Sequence, residues 1–341
     1  MESTPETPSP VQQIMQVATG YIASSALYVA VALKVADHLA GGAKTAEELA
    51  RATGTQADGL YRVLRLLASL GIFQEMSPRR FGLTPAAELL RTDVAGSIRG
   101  MALFLPDPLH FRVYANLMDS VRTGRPAVET TLGMPAFEYL AQHPDYSEVF
   151  NDAMTALSAP VAGAAIEAYD FSQYCLIVDV AGGHGEVLMS ILKACPGARG
   201  VLADVGHVVE GARRRIASAG LSDRCQAVEC DFFKAVPSGG DAYVMKHIIH
   251  DWDDARASAI LQNIGTAMGA KRGAVILLES VIPSGPEPDL GKFIDIEMLL
   301  WPGGRERTTE EFKTLFDRSG FELMKIVPTK SPLSVIEAIR K

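Results

Sequence analysis

The 341-residue chain reads as α/β: a mostly parallel, doubly wound sheet preceded by a smaller, mainly α domain. Three observations predict this. From Leu176 onward, apolar runs of strand type alternate with runs of helical spacing. Successive strand runs end in acids or other polar residues, and the first passes straight into a glycine-rich turn. The first hundred residues hold helix signals followed by one short hairpin.

In chain order, residues 1–10 are acidic and proline-rich and are expected to be a disordered lead, not a signal peptide. A leading domain is expected over 11–97. Its first helix, Val11 to Leu39, is apolar over much of its length and would be poorly covered in one small domain, so a homodimer is expected to cover it. Thr45-Ala-Glu-Glu48 is a capping box, Gly54 marks a turn, Gln56 to Leu70 reads as a second helix, and Phe73 to Leu83 follows as a wing. This winged-helix pattern raises the possibility of a DNA-binding regulator that senses a small ligand. The charges oppose it: residues 1–100 carry nine Lys and Arg against nine Asp and Glu, whereas DNA binding needs a basic face. Residues 98–341 form the second domain. Ile98 to Tyr169 is helical, broken at Pro106, Pro108, Gly124–Pro126 and Gly133–Pro135, and is expected to roof a site.

The sheet follows. Leu176-Ile-Val-Asp179-Val-Ala181-Gly182-Gly183-His184-Gly185 is a strand ending in an acid and a glycine-rich turn, and Glu186 to Lys193 has helical spacing. Such a turn exposes backbone N–H groups and a helix N-terminus to a ligand. A dinucleotide fingerprint requires a small residue three positions after the second glycine, and Leu188 stands there. Asp179 precedes the glycines, where a carboxylate would repel a pyrophosphate but attract an ammonium and a sulfonium. S-adenosylmethionine carries both cations and no phosphate. Val201 to Asp204 is the next strand, its acid 19 positions after Gly185 and placed to hold a ribose diol. Ala227 to Phe233 ends in Asp231, Phe232 and Phe233, which suit an adenine amino group and face. Asp241 to Lys246 is a fourth strand, with His247, His250 and Asp251 beyond it, and Ala274 to Glu279 is a fifth. Asp253 and Asp254 are expected to cap a helix over Ala255 to Met268, and Thr308 to Glu311 a later one. Phe321 to Val327 and Leu333 to Ala338 close the sheet as an antiparallel pair.

With these motifs the chain resembles, from about Val11 to about Ile339, the S-adenosylmethionine-dependent O-methyltransferases of the caffeic-acid and hydroxyneurosporene type and their bacterial natural-product relatives. The family's cofactor motif Asp-Val-Gly-Gly-Gly-x-Gly corresponds to Asp179 to Gly185, and His250-Asp251-Trp252 to its catalytic His-Asp-Trp. The resemblance implies a Rossmann-like methyltransferase domain with a seven-stranded sheet behind a dimerisation domain. It implies S-adenosylmethionine as cofactor, S-adenosylhomocysteine as its product, and a small hydroxylated acceptor. Cofactor contacts are implied for Asp179, Ala181, Gly182, Gly183, Gly185, Asp204, Val205, Asp231, Phe232, Lys246 (through its carbonyl) and Ser158. Phe150, Met154, Asp251, Trp252, Met298 and Trp301 are implied at the acceptor, and Ser24–Leu27 is the segment expected to close the partner's pocket. Asp295 to Leu299 matches a further pocket-lining stretch. His250 is implied as the base, flanked by Glu279 and Glu306. The chain departs from the pattern at three places: Ala181 for a glycine, Val205-Gly206 for Leu-Pro, and Trp301 where plant relatives often carry asparagine.

Methyl transfer from a sulfonium is an in-line displacement, and orienting two reactants well contributes roughly 7–11 kcal/mol. The remaining task is deprotonating the acceptor. Outright transfer from a phenol of pKa ~10 to an imidazole of pKa ~6.5 costs about 5 kcal/mol. Carboxylates beside the imidazole lower that cost, and too strong a pull leaves it protonated and useless as a base. His207 and His247 read as solvated or capping residues, and Met154 and Met298 have a plain reading as core. Trp252 reads equally as core or pocket wall.

Other features narrow the reading. The histidines lack metal-ligand spacing and no two cysteines stand as C-x₂-C, so no metal is expected. The four cysteines show no disulfide framework. The apolar stretch Ala26 to Leu33 is too short to span a bilayer, and the net charge of −8 disfavours nucleic acid and anionic membranes. The expectation is a cytoplasmic enzyme. An enzyme of the same fold repurposed for hydroxylation or decarboxylation is the alternative.

Overall fold

A computed structural model describes residues 9–341; most of the expected lead, 1–10, lies outside them. The chain forms two compact units. One runs to Arg112 and takes in Pro144–Ala156; the other holds Val113–His143 and Leu157–Lys341.

In the first unit, Ser9 caps the helix Pro10–Ala32 reciprocally with Gln12. The single helix expected from Val11 to Leu39 is two: Lys34 takes a left-handed conformation, φ 52°, and Val35–Leu39 starts anew. Thr45 and Glu48 form the expected capping box on Ala46–Thr53, Gly54 closes that helix at φ 69°, and Ala57–Ser69 follows. β1 (Lys44–Thr45), β2 (Phe73–Ser77) and β3 (Arg80–Leu83) make an antiparallel sheet in the order β1-β3-β2. Leu39, Leu49, Leu64, Leu67, Phe73 and Phe81 fill the core. Val11, Ile14, Met15, Val17 and Tyr21 remain exposed along the first helix. Pro10–Ala32 and Pro144–Ala168 are long and apolar enough to cross a membrane by length and composition, although the Ala26 to Leu33 stretch alone is not.

The second unit is built on β4 (Leu176–Val180), β5 (Arg199–Asp204), β6 (Cys225–Glu229), β7 (Ala242–Lys246), β8 (Ala274–Glu279), β9 (Phe321–Pro328) and β10 (Ser334–Arg340). Their order is β6-β5-β4-β7-β8-β10-β9. The four pairings from β6 to β8 are parallel, and β10 runs antiparallel to both β8 and β9. Burial on both faces explains why these strands read as continuous apolar runs. Ile177, Leu202, Val244 and Ile276 pack under Glu186–Ala194 and Gly206–Ser218. Val178, Tyr243, Val275 and Leu277 pack under Asp254–Met268 and Thr309–Arg318. Leu188 is accommodated because β5 supplies the small residue: a Cβ on Gly200 would lie 3.0 Å from both Leu188 methyls. The strand order reverses between β4 and β7, so a crevice opens at their carboxyl ends.

Candidate active site

The turn after β4 takes its shape from the backbone. Ala181, Gly183 and Gly185 have φ of 56°, 59° and 85°, and Ala181 N–H donates to Ala203 O at 2.7 Å. Ala181 holds with a Cβ a conformation that glycine adopts without cost, a strain of roughly 1–2 kcal/mol. Asp204, at the tip of β5, accepts Gly183 N–H on Oδ2 at 2.8 Å and Val205 N–H on Oδ1 at 2.7 Å. These bonds aim the carboxylate and leave it lone pairs for a diol. Asp179 is 1% exposed, and its Oδ2 has no hydrogen-bond partner among the described residues. Burial, with the charge of Asp204, pushes its pKa up to about 7 against the pull of Lys246. A Cβ on Gly182 would lie 2.5 Å from that oxygen, so only glycine lets the turn close over the acid.

A buried orphan carboxylate, an aimed second carboxylate and a helix N-terminus fit the ammonium, ribose and carboxylate of S-adenosylmethionine. Beyond them, Asp231 lies in the turn after β6 rather than on the strand, exposed and paired with Lys234 at 2.8 Å. Phe232 and Phe233 pack at 4.8 Å, and Trp252 stands edge-on to Phe233 at 4.8 Å. Trp252 thus joins the aromatics expected at the adenine.

The second corner lies at the ends of β7 and β8. After Lys246 the chain turns at His247, φ 53°, into the short 3₁₀ turn Ile249–Asp251. Glu279, at the end of β8 and fully buried, accepts Ile248 and Ile249 N–H on Oε1 at 3.0 and 2.9 Å. Its Oε2 lies 3.8 Å from His250 Nδ1. Glu306 comes from the loop after the helix Leu290–Leu300, and its Oε1 accepts the Nδ1 proton of His250 at 2.7 Å. Asp251 Oδ1 lies 3.5 Å from Nε2. Gly304 lets the Glu306 loop press on the histidine turn, since any Cβ there would strike the His250 carbonyl.

Burial alone would lower the pKa of His250, but Glu279, Asp251 and Glu306 outweigh it and raise it to about 10. Burial pushes Glu279 up to about 7 and Asp251 to about 6, each against the charge of His250. Lys246 is depressed by burial while facing Glu279, Asp179 and Asp251. Its side chain therefore links the two corners electrostatically, beyond the carbonyl role expected of it.

The structure brings His250, Glu279, Glu306 and Asp251 together, and Asp179, Asp204 and the 181–185 turn together. Met298 and Trp301 are buried, and the Met298 carbonyl accepts Gly303 and Gly304 N–H at 2.9 and 3.1 Å. Ser158 is buried in the second unit, whereas Phe150 and Met154 fall in the first, where Phe150 meets Phe104 at 5.5 Å.

Three residues have contacts that no local sequence pattern announces. Arg307, 1% exposed, donates to Ile249 O at 3.1 Å, Trp252 O at 2.9 Å and Asp254 Oδ1 at 2.9 Å, bracketing His250. Asp254 thus holds Arg307, while Asp253 alone is the helix cap. Asp295, in the stretch matched to the pocket lining, accepts Glu306 N–H at 2.8 Å. His247, read from the sequence as a solvated or capping residue, lies flat on His250, with centroids 4.7 Å apart and planes at 8°. Adjacency to Glu306 was the only signal for Arg307. His247, His250 and Glu279 bring ligand-type atoms within 4.8 Å of one another. The lone pairs of two parallel rings point along parallel planes rather than to one centre, so the trio is a poor metal cage.

An O-methyltransferase domain family matches residues 114–322, and an O-methyltransferase dimerisation domain family matches residues 15–93. The chain is 44% identical to the phenazine O-methyltransferase PhzM of Lysobacter antibioticus, over 95% of both sequences. It is 34% identical to the phenazine-1-carboxylate N-methyltransferase of Pseudomonas aeruginosa, over 96% of this chain and 97% of that one. Among solved structures, the O-methyltransferase NcsB1 of neocarzinostatin biosynthesis, in complex with S-adenosylmethionine and 2-hydroxy-5-methyl naphthoic acid, superposes with a TM-score of 0.81. The two are 32% identical, covering 98% of this chain and 100% of that one. The chain belongs to the S-adenosylmethionine-dependent methyltransferases that join an O-methyltransferase domain to a dimerisation domain.

Proposed function

We propose that the acceptor atom is oxygen: the enzyme methylates a hydroxyl of a small aromatic or polyketide-like metabolite, with His250 as general base. The observation that carries this reading is the buried imidazole whose Nδ1 is committed to Glu306 at 2.7 Å, leaving Nε2 as the proton acceptor. A hydroxyl must lose a proton before or during attack; a ring nitrogen with its own lone pair needs no base. A base raised to about 10 is matched to a phenol of pKa ~10, which removes the mismatch of an ordinary imidazole. The same shift leaves the ring protonated at neutral pH, so it must shed a proton before each turnover. S-adenosylmethionine supplies the methyl group on a sulfonium leaving group, and its positive charge opposes protonation of an imidazole in the same pocket. Asp179 and Asp204 hold the cofactor's polar groups, Glu306 fixes the base tautomer, and Glu279 stabilises the imidazolium. The residues 11–97 form the dimerisation domain of a cytoplasmic homodimer, whose exposed Val11 to Tyr21 face a second copy covers. Residues 98–341 are the catalytic domain.

His250→Ala should reduce turnover of hydroxylated aromatics by roughly 10²–10⁴ while leaving cofactor affinity intact. Labelled S-adenosylmethionine with a panel of phenols and ring-nitrogen acceptors tests this. Unimpaired turnover, or methylation of nitrogen alone, overturns the oxygen reading.

A further inference from the structure

We propose that His247 is a positioning residue for His250: a flat ring that sets the plane of the base. The inference rests on the reading of His250 as the base. The Nδ1–Glu306 contact fixes one ring atom, but χ2 of a histidine is a broad torsion. One hydrogen bond therefore leaves the ring free to tilt, and Nε2 free to swing off the acceptor. The ring of His247 lies on His250 at 4.7 Å with planes 8° apart, and a face-to-face neighbour removes that tilt.

The backbone explains why a histidine suits the place. Its φ of 53° starts the chain reversal that leads into the 3₁₀ turn Ile249–Asp251 and brings the rings of His247 and His250 together. Its N–H donates to Leu278 O at 3.2 Å, which anchors the reversal to β8. Histidine, asparagine and aspartate tolerate that conformation best, and of these only histidine carries a planar ring. Burial, with the charges of His250 and Lys246, holds its pKa well below the ordinary value. A neutral face is thus presented to a ring that becomes cationic.

Three variants of the full-length protein test the assignment. His247→Asn keeps tolerance of the backbone conformation and removes the ring. His247→Phe restores a ring without nitrogens, and His247→Ala removes both. His247→Asn should lower kcat by roughly 10- to 10²-fold, with KM and S-adenosylhomocysteine affinity near wild type. His247→Phe should recover most of the loss despite some thermal destabilisation. Nitrogen-15 spectra of the imidazoles with S-adenosylhomocysteine bound give a readout independent of turnover. The Nδ1–H resonance of His250 should stay sharp in wild type and His247→Phe, and broaden in His247→Asn and His247→Ala. A wild-type kcat and sharp resonance in His247→Asn, or no recovery in His247→Phe, overturns the proposal. If His250→Ala retained full turnover the base reading would fall, and the spectra would still decide whether His247 orders the ring.

Discussion

The two corners of the crevice solve opposite problems. The 179–185 turn and Asp204 are organised by backbone: left-handed residues, one glycine close to an acid, and two N–H bonds to a carboxylate. The His250 corner is organised by side chains brought from β7, β8 and the 303–307 loop, with three carboxylates around one imidazole. The first leaves Asp179 with an open oxygen. The second also leaves Glu279 Oε2 and Glu306 Oε2 without hydrogen-bond partners among the described residues, but sets both carboxylates beside the His250 ring. Under the proposed roles, a pocket for a cation is prepared by a buried anion with no hydrogen-bond partner on one oxygen, whereas a base is prepared by surrounding it with anions.

Substitutions can break or sharpen this contrast. After His250→Ala, the largest effect is expected from Asp204→Ala. Loss of a charged acceptor aimed at a diol should cost about 1.5–3 kcal/mol, or roughly 10- to 10²-fold in S-adenosylmethionine affinity by calorimetry. Unchanged affinity would remove the ribose assignment. Glu279→Gln should act mainly on the other corner. Deleting a carboxylate withdraws support from the imidazolium, so the pKa of His250 falls from about 10. The alkaline rise of the rate should then move to lower pH, by roughly 1–3 units. A profile that stays put would sever Glu279 from the base.

Proton release joins the corners. At pH 7.5, S-adenosylmethionine should expel more of a proton than S-adenosylhomocysteine, because only the former brings a sulfonium toward a protonated His250. Calorimetry in two buffers of different ionisation enthalpy measures the difference, and equal release would show the base indifferent to the donor's charge. Ala181→Gly should have the smallest effect. Relief of the φ 56° strain should raise stability by about 1 kcal/mol, offset in part by glycine's greater chain entropy. Thermal melts decide it, and a lower Tm would mean the methyl is packed rather than merely tolerated.

Legibility in the sequence followed the same division. Strand runs, capping boxes at Thr45 and Thr308, and the acid–glycine turn are local patterns, and the structure places each within a few residues of its expected position. The break at Lys34 was not legible, because the apolar pattern of the helix continues through it. Arg307 and Asp295 had no local signature, since both act on atoms brought near only by folding. His247 looked like an ordinary strand-end histidine because a ring stack depends on one backbone torsion that composition does not reveal.

By itself, the sequence determined the alternation of strands and helices, the neutrality of the leading domain and the acids at the strand tips, because periodicity and turn chemistry act over a few residues. The resemblance already set Glu279 and Glu306 beside His250; only the tertiary structure decided that Asp251 joins them, how far the pKa rises, and that His247 lies against it. Those outcomes depend on distances across 30 to 60 positions of chain, and on burial, which sets how strongly neighbouring charges act on one another.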